Sequence, residues 1–234
     1  MRAVRRLLIV LVVLFGLFVV ADRLALHFAE AEAATKIQSA RNLPEKPSVS
    51  IGGFPFLTQL LSSTFDSVKV TSPEFTVNDG KGGPDIRLRN FVVDGKGVRV
   101  TGNYSGIVAD SGTGSAEISY ADLSGALPNH LTVAYGGSPG KVKVSGKVDV
   151  PVLGEQDVSG TADVSVVNGT SISLNNLSGL GSGIAPGIGD LVSSFLQPKL
   201  QIAGLPSGLE LNSVQAGPDG IAVTVSGTDV SLSN

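Results

Sequence analysis

Alternating apolar and polar positions occur through much of the chain and predict strands joined by tight turns. The clearest case is residues 141–150, where valine occupies every even position except Gly146 and polar residues stand between. This alternation is typical of a strand with one buried and one solvent-facing side. Residues 156–167 alternate again, and Asn168-Gly169 is a hairpin signal that leads into the next strand. Consecutive hairpins predict an antiparallel meander.

Further pairs of turn residues separate other strand candidates. These turns, with the strands on either side, are Asp94-Gly95 between 86–93 and 98–107, Gly136-Gly137 between 131–135 and 141–150, and residues 217–220 between 209–216 and 221–232. Gly, Asn and Pro favour such turns because they adopt the backbone angles that a reversal needs. The fold class that we predict is α+β and β-rich, with a curved antiparallel sheet covered by short amphipathic helices.

The N-terminus has the charge and apolar pattern of an exported chain. Arg2, Arg5 and Arg6 precede residues 7–21, which contain no polar side chain. A positive segment followed by such a run is typical of a signal peptide or membrane anchor, with the positive charge on the cytoplasmic side. Residues 22–41 favour a continuing helix, so we expect a stalk that lifts the domain off the membrane.

Three fates of this segment are open. The fifteen apolar residues fall short of the ~20 that a membrane span needs. Residues 24–26 extend the span if Asp22 and Arg23 pair with each other or reach the interface, and we favour this uncleaved anchor. Cleavage is the second alternative, at the small-residue sites 29–31 and 31–33. A buried core helix is the third and fits the arginine flank poorly.

The predicted domains follow from this organisation. Residues 1–34 form the signal or anchor and the start of the stalk helix, and residues 35–234 form a single β-rich domain. The size of the second part is that of one ordinary domain.

Two amphipathic segments are the available covers for the apolar face of the predicted sheet. One follows the Gly52-Gly53 turn, and the other follows a Gly- and Ser-rich stretch at residues 178–187 and ends before Pro198. Their apolar residues either fill the core or line a cavity that admits acyl chains. The candidate lipid-binding residues are Phe54, Phe56, Leu57, Leu60, Leu61, Phe65, Ile184, Ile188, Leu191, Val192, Phe195 and Leu196.

Composition and charge exclude several classes of function. The formal net charge is −3 and no basic run follows the first six residues, so nucleic acid is not an expected partner. The chain has no Cys, which excludes disulfides and thiolate metal sites. His27 and His130 are the only histidines, and no catalytic motif accompanies them. We expect no enzyme activity, no metal and no cofactor.

Three segments resemble the LmeA-like family of actinobacterial cell-envelope proteins. They are residues 47–61 (PSVSIGGFPFLTQLL), 65–70 (FDSVKV) and 205–214 (LPSGLELNSV), of which GGFPFL is the most specific part. The resemblance spans about residues 22–232. It implies a tubular lipid-binding fold like that of the bactericidal permeability-increasing protein (BPI-like). It also implies binding of phospholipid or phosphatidylinositol mannoside and a role in lipoglycan assembly.

The leading hypothesis is a membrane-tethered extracytoplasmic protein of the cell envelope that binds lipid without a covalent step. For an anionic headgroup, the sequence offers only the basic residues Arg87, Arg89, Lys96 and Arg99. The alternative is a structural or adaptor domain with a filled core, which binds an envelope partner protein.

Overall fold

The computed structural model describes residues 2–77, 86–101, 106–126, 131–150, 154–178, 200–201 and 207–233. The helices in these residues are α1 (Arg2–Arg41), α2 (Phe56–Ser62) and α3 (Tyr120–Ala126). The strands are β1 (Ser48–Gly52), β2 (Thr64–Val77), β3 (Ile86–Thr101), β4 (Gly106–Ile118), β5 (Thr132–Tyr135), β6 (Lys141–Val150), β7 (Gly154–Val167), β8 (Ser171–Ser178), β9 (Leu200–Gln201), β10 (Ser207–Gly217) and β11 (Gly220–Ser233). The chain is therefore β-rich, with a long apolar helix at its N-terminus.

The strands form two antiparallel sheets. The larger has the order β1-β2-β3-β4-β11-β10, and the smaller is a meander in sequence order from β5 to β9. The predicted antiparallel meander is thus confirmed, but it is divided between two sheets rather than continuous in one. Asn168 and Gly169 both have left-handed φ angles, 53° and 63°, as the type I′ turn between β7 and β8 requires.

The main core lies between the two sheets. Val142 and Val144 of β6 are buried, which confirms the alternation that predicted this strand. They belong to one apolar cluster with residues of β10 and β11, among them Leu211 and Val223. At the edge of the larger sheet, the Leu211 N–H donates to the Gly169 carbonyl oxygen at 2.7 Å. Apolar burial and backbone bonding together hold the smaller sheet against β10.

One predicted turn is wrong. Asp94-Gly95 lies in the middle of β3, which runs without interruption over Ile86–Thr101. Gly95 pairs with Val68 of β2, and a Cβ at this position would lie 3.2 Å from the Val98 side chain. Glycine is favoured here because it allows close packing in a long strand, and not because the chain reverses.

The N-terminal helix is continuous for 40 residues, about 60 Å at 1.5 Å per residue. Its most apolar window has a mean hydropathy of 2.6 and is 6% buried, which disfavours the alternative of a core helix. It is long and apolar enough to cross a membrane, a property that signal sequences share. The predicted continuation to Arg41 is confirmed, but this part of the helix contacts β1 and α2 instead of standing clear of the domain.

Candidate functional site

The first group of predicted site residues lies on and beside α2, in a corner that this helix forms with α1. The chain turns from β1 into α2 at Gly53, whose φ of +97° favours glycine. A Cβ there would also collide with the Asp66 carboxylate. At the other end, Ser63 adopts a left-handed φ of 51° and its N–H donates to the Leu60 carbonyl oxygen at 3.2 Å. Both ends of this short helix are therefore fixed by local backbone geometry.

The buried carboxylate of Asp22 joins α2 to α1. Its Oδ1 accepts a hydrogen bond of 2.8 Å from the backbone N–H of Leu57, in the first turn of α2. Its Oδ2 accepts one of 2.7 Å from the Arg23 guanidinium. Pro55 at the N-cap makes no capping hydrogen bond through its side chain, so a carboxylate from another helix satisfies one of the free donors.

A second bond between α1 and the domain lies further along the helix. The Glu30 carboxylate accepts a hydrogen bond of 2.8 Å from the backbone N–H of Ile51, near the end of β1. Ala34, one turn further on, is buried. The part of α1 that follows the apolar run is therefore packed against β1 as well as α2.

The inner face of α2 is part of the packed domain. Phe56 is 1% exposed, and its ring stacks on that of Phe65 in β2 with centroids 6.3 Å apart. Gln59 is also buried, and its Oε1 accepts a hydrogen bond of 2.7 Å from the Asp66 N–H. These contacts fix the orientation of the helix on the edge of the larger sheet.

The outer face of α2 is apolar and open. Leu61 is 87% exposed and Leu60 is 46% exposed, while Phe54 in the preceding turn is 52% exposed. The Arg23 guanidinium lies 5.2 Å from the centroid of the Phe54 ring, within the range of a cation–π contact. Three large apolar side chains on and beside α2 are thus open, one of them against Arg23 of α1, and a bound apolar group could cover them.

The distribution of exposed apolar side chains is uneven over the described part of the chain. Large exposed hydrophobic residues occur along α1 and at the three positions just named, and the remaining one is Ile107 of β4. Ile107 pairs with Val100, whose N–H donates to the Ser63 carbonyl oxygen at the end of α2. The exposed apolar surface of the domain is therefore confined to one end of the larger sheet.

The basic residues on β3 do not form one headgroup site. Arg87 and Arg99 are twelve residues apart on one strand, about 40 Å at 3.3 Å per residue. Arg87 pairs with Asp122 at 3.0 Å and Arg99 pairs with Asp110 at 2.7 Å. The two arginines at the ends of the set are thus separated along the sheet and are already bound to carboxylates.

The remaining predicted site residues, Ile184, Ile188, Leu191, Val192, Phe195 and Leu196, lie outside the described residues. The same is true of His130. An open depression of about 330 Å³ lies on the larger sheet beside Val92, Asn212 and Val225, and contains none of the predicted site residues. Within the described ranges, no group of three or more His, Asp or Glu residues could hold a metal ion.

Sequence reasoning missed the role of Asp22. In the sequence, Asp22 stands directly after the apolar run and beside Arg23, so pairing with Arg23 could be predicted. Nothing in the sequence indicates its bond to Leu57, 35 residues away.

The comparisons with known proteins agree with the resemblance. A family model described as LmeA-like phospholipid-binding matches residues 20–226. No curated protein and no solved structure matches the chain.

Proposed function

Since the chain belongs to the LmeA-like phospholipid-binding family, we propose that it is an extracytoplasmic lipid-binding protein of the cell envelope, held in the membrane by α1. Its ligand is a phospholipid or a phosphatidylinositol mannoside, and its role is to support the assembly of envelope lipids or lipoglycans. The function requires binding and release of lipid and no covalent step.

The observation that carries this proposal is the exposed apolar face of α2. Leu60 and Leu61 of α2 and Phe54 in the turn before it are exposed, whereas Phe56 at the start of α2 is buried. Removing a large apolar side chain from water is worth about 1.5–3 kcal/mol. Acyl chains that cover three such residues would therefore gain a substantial part of their binding free energy there.

Membrane retention is supported by the contacts of α1. Asp22 bonds to α2 and Glu30 bonds to β1, and both precede the end of each small-residue cleavage site, 29–31 and 31–33. Cleavage after either site would remove both carboxylates from the domain. We therefore favour an uncleaved anchor, with the N-terminal arginines in the cytoplasm and the domain outside.

The proposed lipid site has two walls. We propose residues 54–65 for one and, from the apolar pattern of their sequence alone, residues 184–196 for the other, in a BPI-like arrangement with acyl chains between a curved sheet and short helices. The antiparallel sheets, the long N-terminal helix and the family match support this arrangement. The Gly- and Ser-rich stretch before residue 188 would allow the second wall to open.

Native mass spectrometry of the full-length protein, released from membranes and followed by lipid extraction, tests the proposal. The wild-type protein should retain phospholipid, and the extract identifies the headgroup. Leu61→Asp should lose the bound lipid because a charge then stands on the apolar face, while Gln215→Asp, an equal charge on exposed β10, should retain it. A wild-type protein that carries no lipid and takes none from vesicles would favour the adaptor alternative.

A further inference from the structure

The position of α2 along α1 determines where α2 lies relative to a membrane. Arg6 is the last charge before the apolar run, and Asp22 follows sixteen residues later. At 1.5 Å per residue these positions are about 24 Å apart, within the ~30 Å of a bilayer's hydrocarbon core. With Arg6 at the cytoplasmic boundary, Asp22 lies close to the opposite boundary of that core.

The bond between Asp22 and Leu57 places α2 at the same depth. Its length of 2.8 Å brings the first turn of α2 to the level of Asp22 on the helix axis. Glu30, which bonds to β1, lies eight residues or about 12 Å further out, at the level of the headgroups. α2 therefore lies deeper along α1 than β1 does.

The side chains at this level suit a membrane interface. Phe54, Leu60 and Leu61 are exposed on and beside α2, and Leu24 and Phe28 are exposed one turn apart on α1. Both helices therefore present apolar side chains at the level where the apolar run of α1 ends. Arg23 lies against the Phe54 ring, from where its long side chain can reach the headgroups.

We propose that the outer face of α2, formed by Phe54, Leu60 and Leu61, inserts into the outer interface of the phospholipid bilayer beside α1. The proposal rests on the membrane-anchoring part of the proposed function. Asp22 holds α2 at a fixed depth, because its buried carboxylate accepts the hydrogen bond from the Leu57 N–H, and separation of the two helices would leave both groups without this partner. The domain is then seated on the membrane, and lipid reaches it directly from the bilayer.

Tryptophan fluorescence tests the depth of α2, since the chain contains no Trp and a single introduced one has no background. Leu61→Trp and the control Asp219→Trp are each prepared in the full-length protein, in nanodiscs of phospholipid brominated near the headgroup end of the acyl chains. Asp219 lies in the exposed turn between β10 and β11, at the opposite end of the larger sheet. Along the sheet, the levels of the two positions differ by about 36 Å, the length of β3 from Leu88, near the turn, to Arg99, near the end of α2.

We expect quenching several-fold stronger for Leu61→Trp than for Asp219→Trp, with blue-shifted emission only for Leu61→Trp. Equal quenching at the two positions, or none at Leu61→Trp, would overturn the proposal. Transfer of the loaded protein to amphipol distinguishes bilayer insertion from a lipid carried inside the domain. Quenching that disappears with the bilayer supports insertion, whereas quenching that persists refutes insertion and supports the carrier site alone.

Discussion

Truncating a side chain should lower the stability of the fold on the inner face of α2 and leave it nearly unchanged on the outer face. Phe56 is 1% exposed and stacks on Phe65, so Phe56→Ala removes a ring from a packed site. Substitutions of this type cost about 3–5 kcal/mol, the sum of lost transfer free energy and an unfilled cavity. Leu61 is 87% exposed and contributes little to the fold, so Leu61→Ala should change the free energy of unfolding by less than about 0.5 kcal/mol.

Thermal unfolding of the reconstituted full-length protein, followed by circular dichroism, measures this difference. For a domain of this size each kcal/mol shifts the Tm by about 2–4 °C, so Phe56→Ala should lower it by roughly 6–20 °C. Hydrogen exchange then shows which amides lose protection in Phe56→Ala, and we expect them to include those of α2 and the start of β2. A Tm of Phe56→Ala equal to that of the wild type, or equal losses in both variants, would refute the division of α2 into a structural and an open face.

Three further predictions concern the sheets. The Lys141 ammonium, followed by the Asn176 amide, holds the pKa of Asp163 below its ordinary value. The pairing of ionised Asp163 stabilises the fold at pH values above the ordinary carboxyl pKa of about 3.9. Its contribution to stability disappears as the pH falls through the lowered pKa of Asp163. Asp163→Asn should therefore flatten the acid side of the stability–pH curve in urea titrations, and an unchanged curve would contradict the pairing. Val142→Ala, at a fully buried core position, should lower the free energy of unfolding by about 2 kcal/mol in the same titration; no change would mean that the two sheets are not packed there. Gly227→Ala places a Cβ against a backbone carbonyl of β10 and should reduce the yield of folded protein, unlike Gly217→Ala, whose Cβ meets nothing closer than 3.7 Å.

The sequence predicted the parts of the fold that depend on local patterns. β6 was found because its valines alternate over ten residues, and the β7–β8 turn because Asn168-Gly169 favours left-handed backbone. The same logic failed at Gly95, since glycine marks close packing as well as turns, and only the neighbouring strands distinguish the two.

The candidate site was predictable only in part, for a similar reason. The apolar residues around α2 are adjacent in sequence and show helical spacing, so a local pattern indicates them. The bond from Asp22 to Leu57 spans 35 residues, and no periodicity contains information about it. Nor could the sequence show which face of α2 is buried, because apolar residues occur on both faces.

The contact of α1 with β1 also covers an edge of the larger sheet. β1 is the edge strand of the larger sheet, and α1 lies along it with the Glu30 carboxylate bound to the Ile51 N–H. Edge strands with free backbone groups are templates for pairing with other chains. A chain that begins after α1 would present this edge, with the Ile51 N–H no longer bound to Glu30. We expect it to elute from size-exclusion chromatography as oligomers, which would show that α1 also keeps the edge of the larger sheet from pairing with other chains.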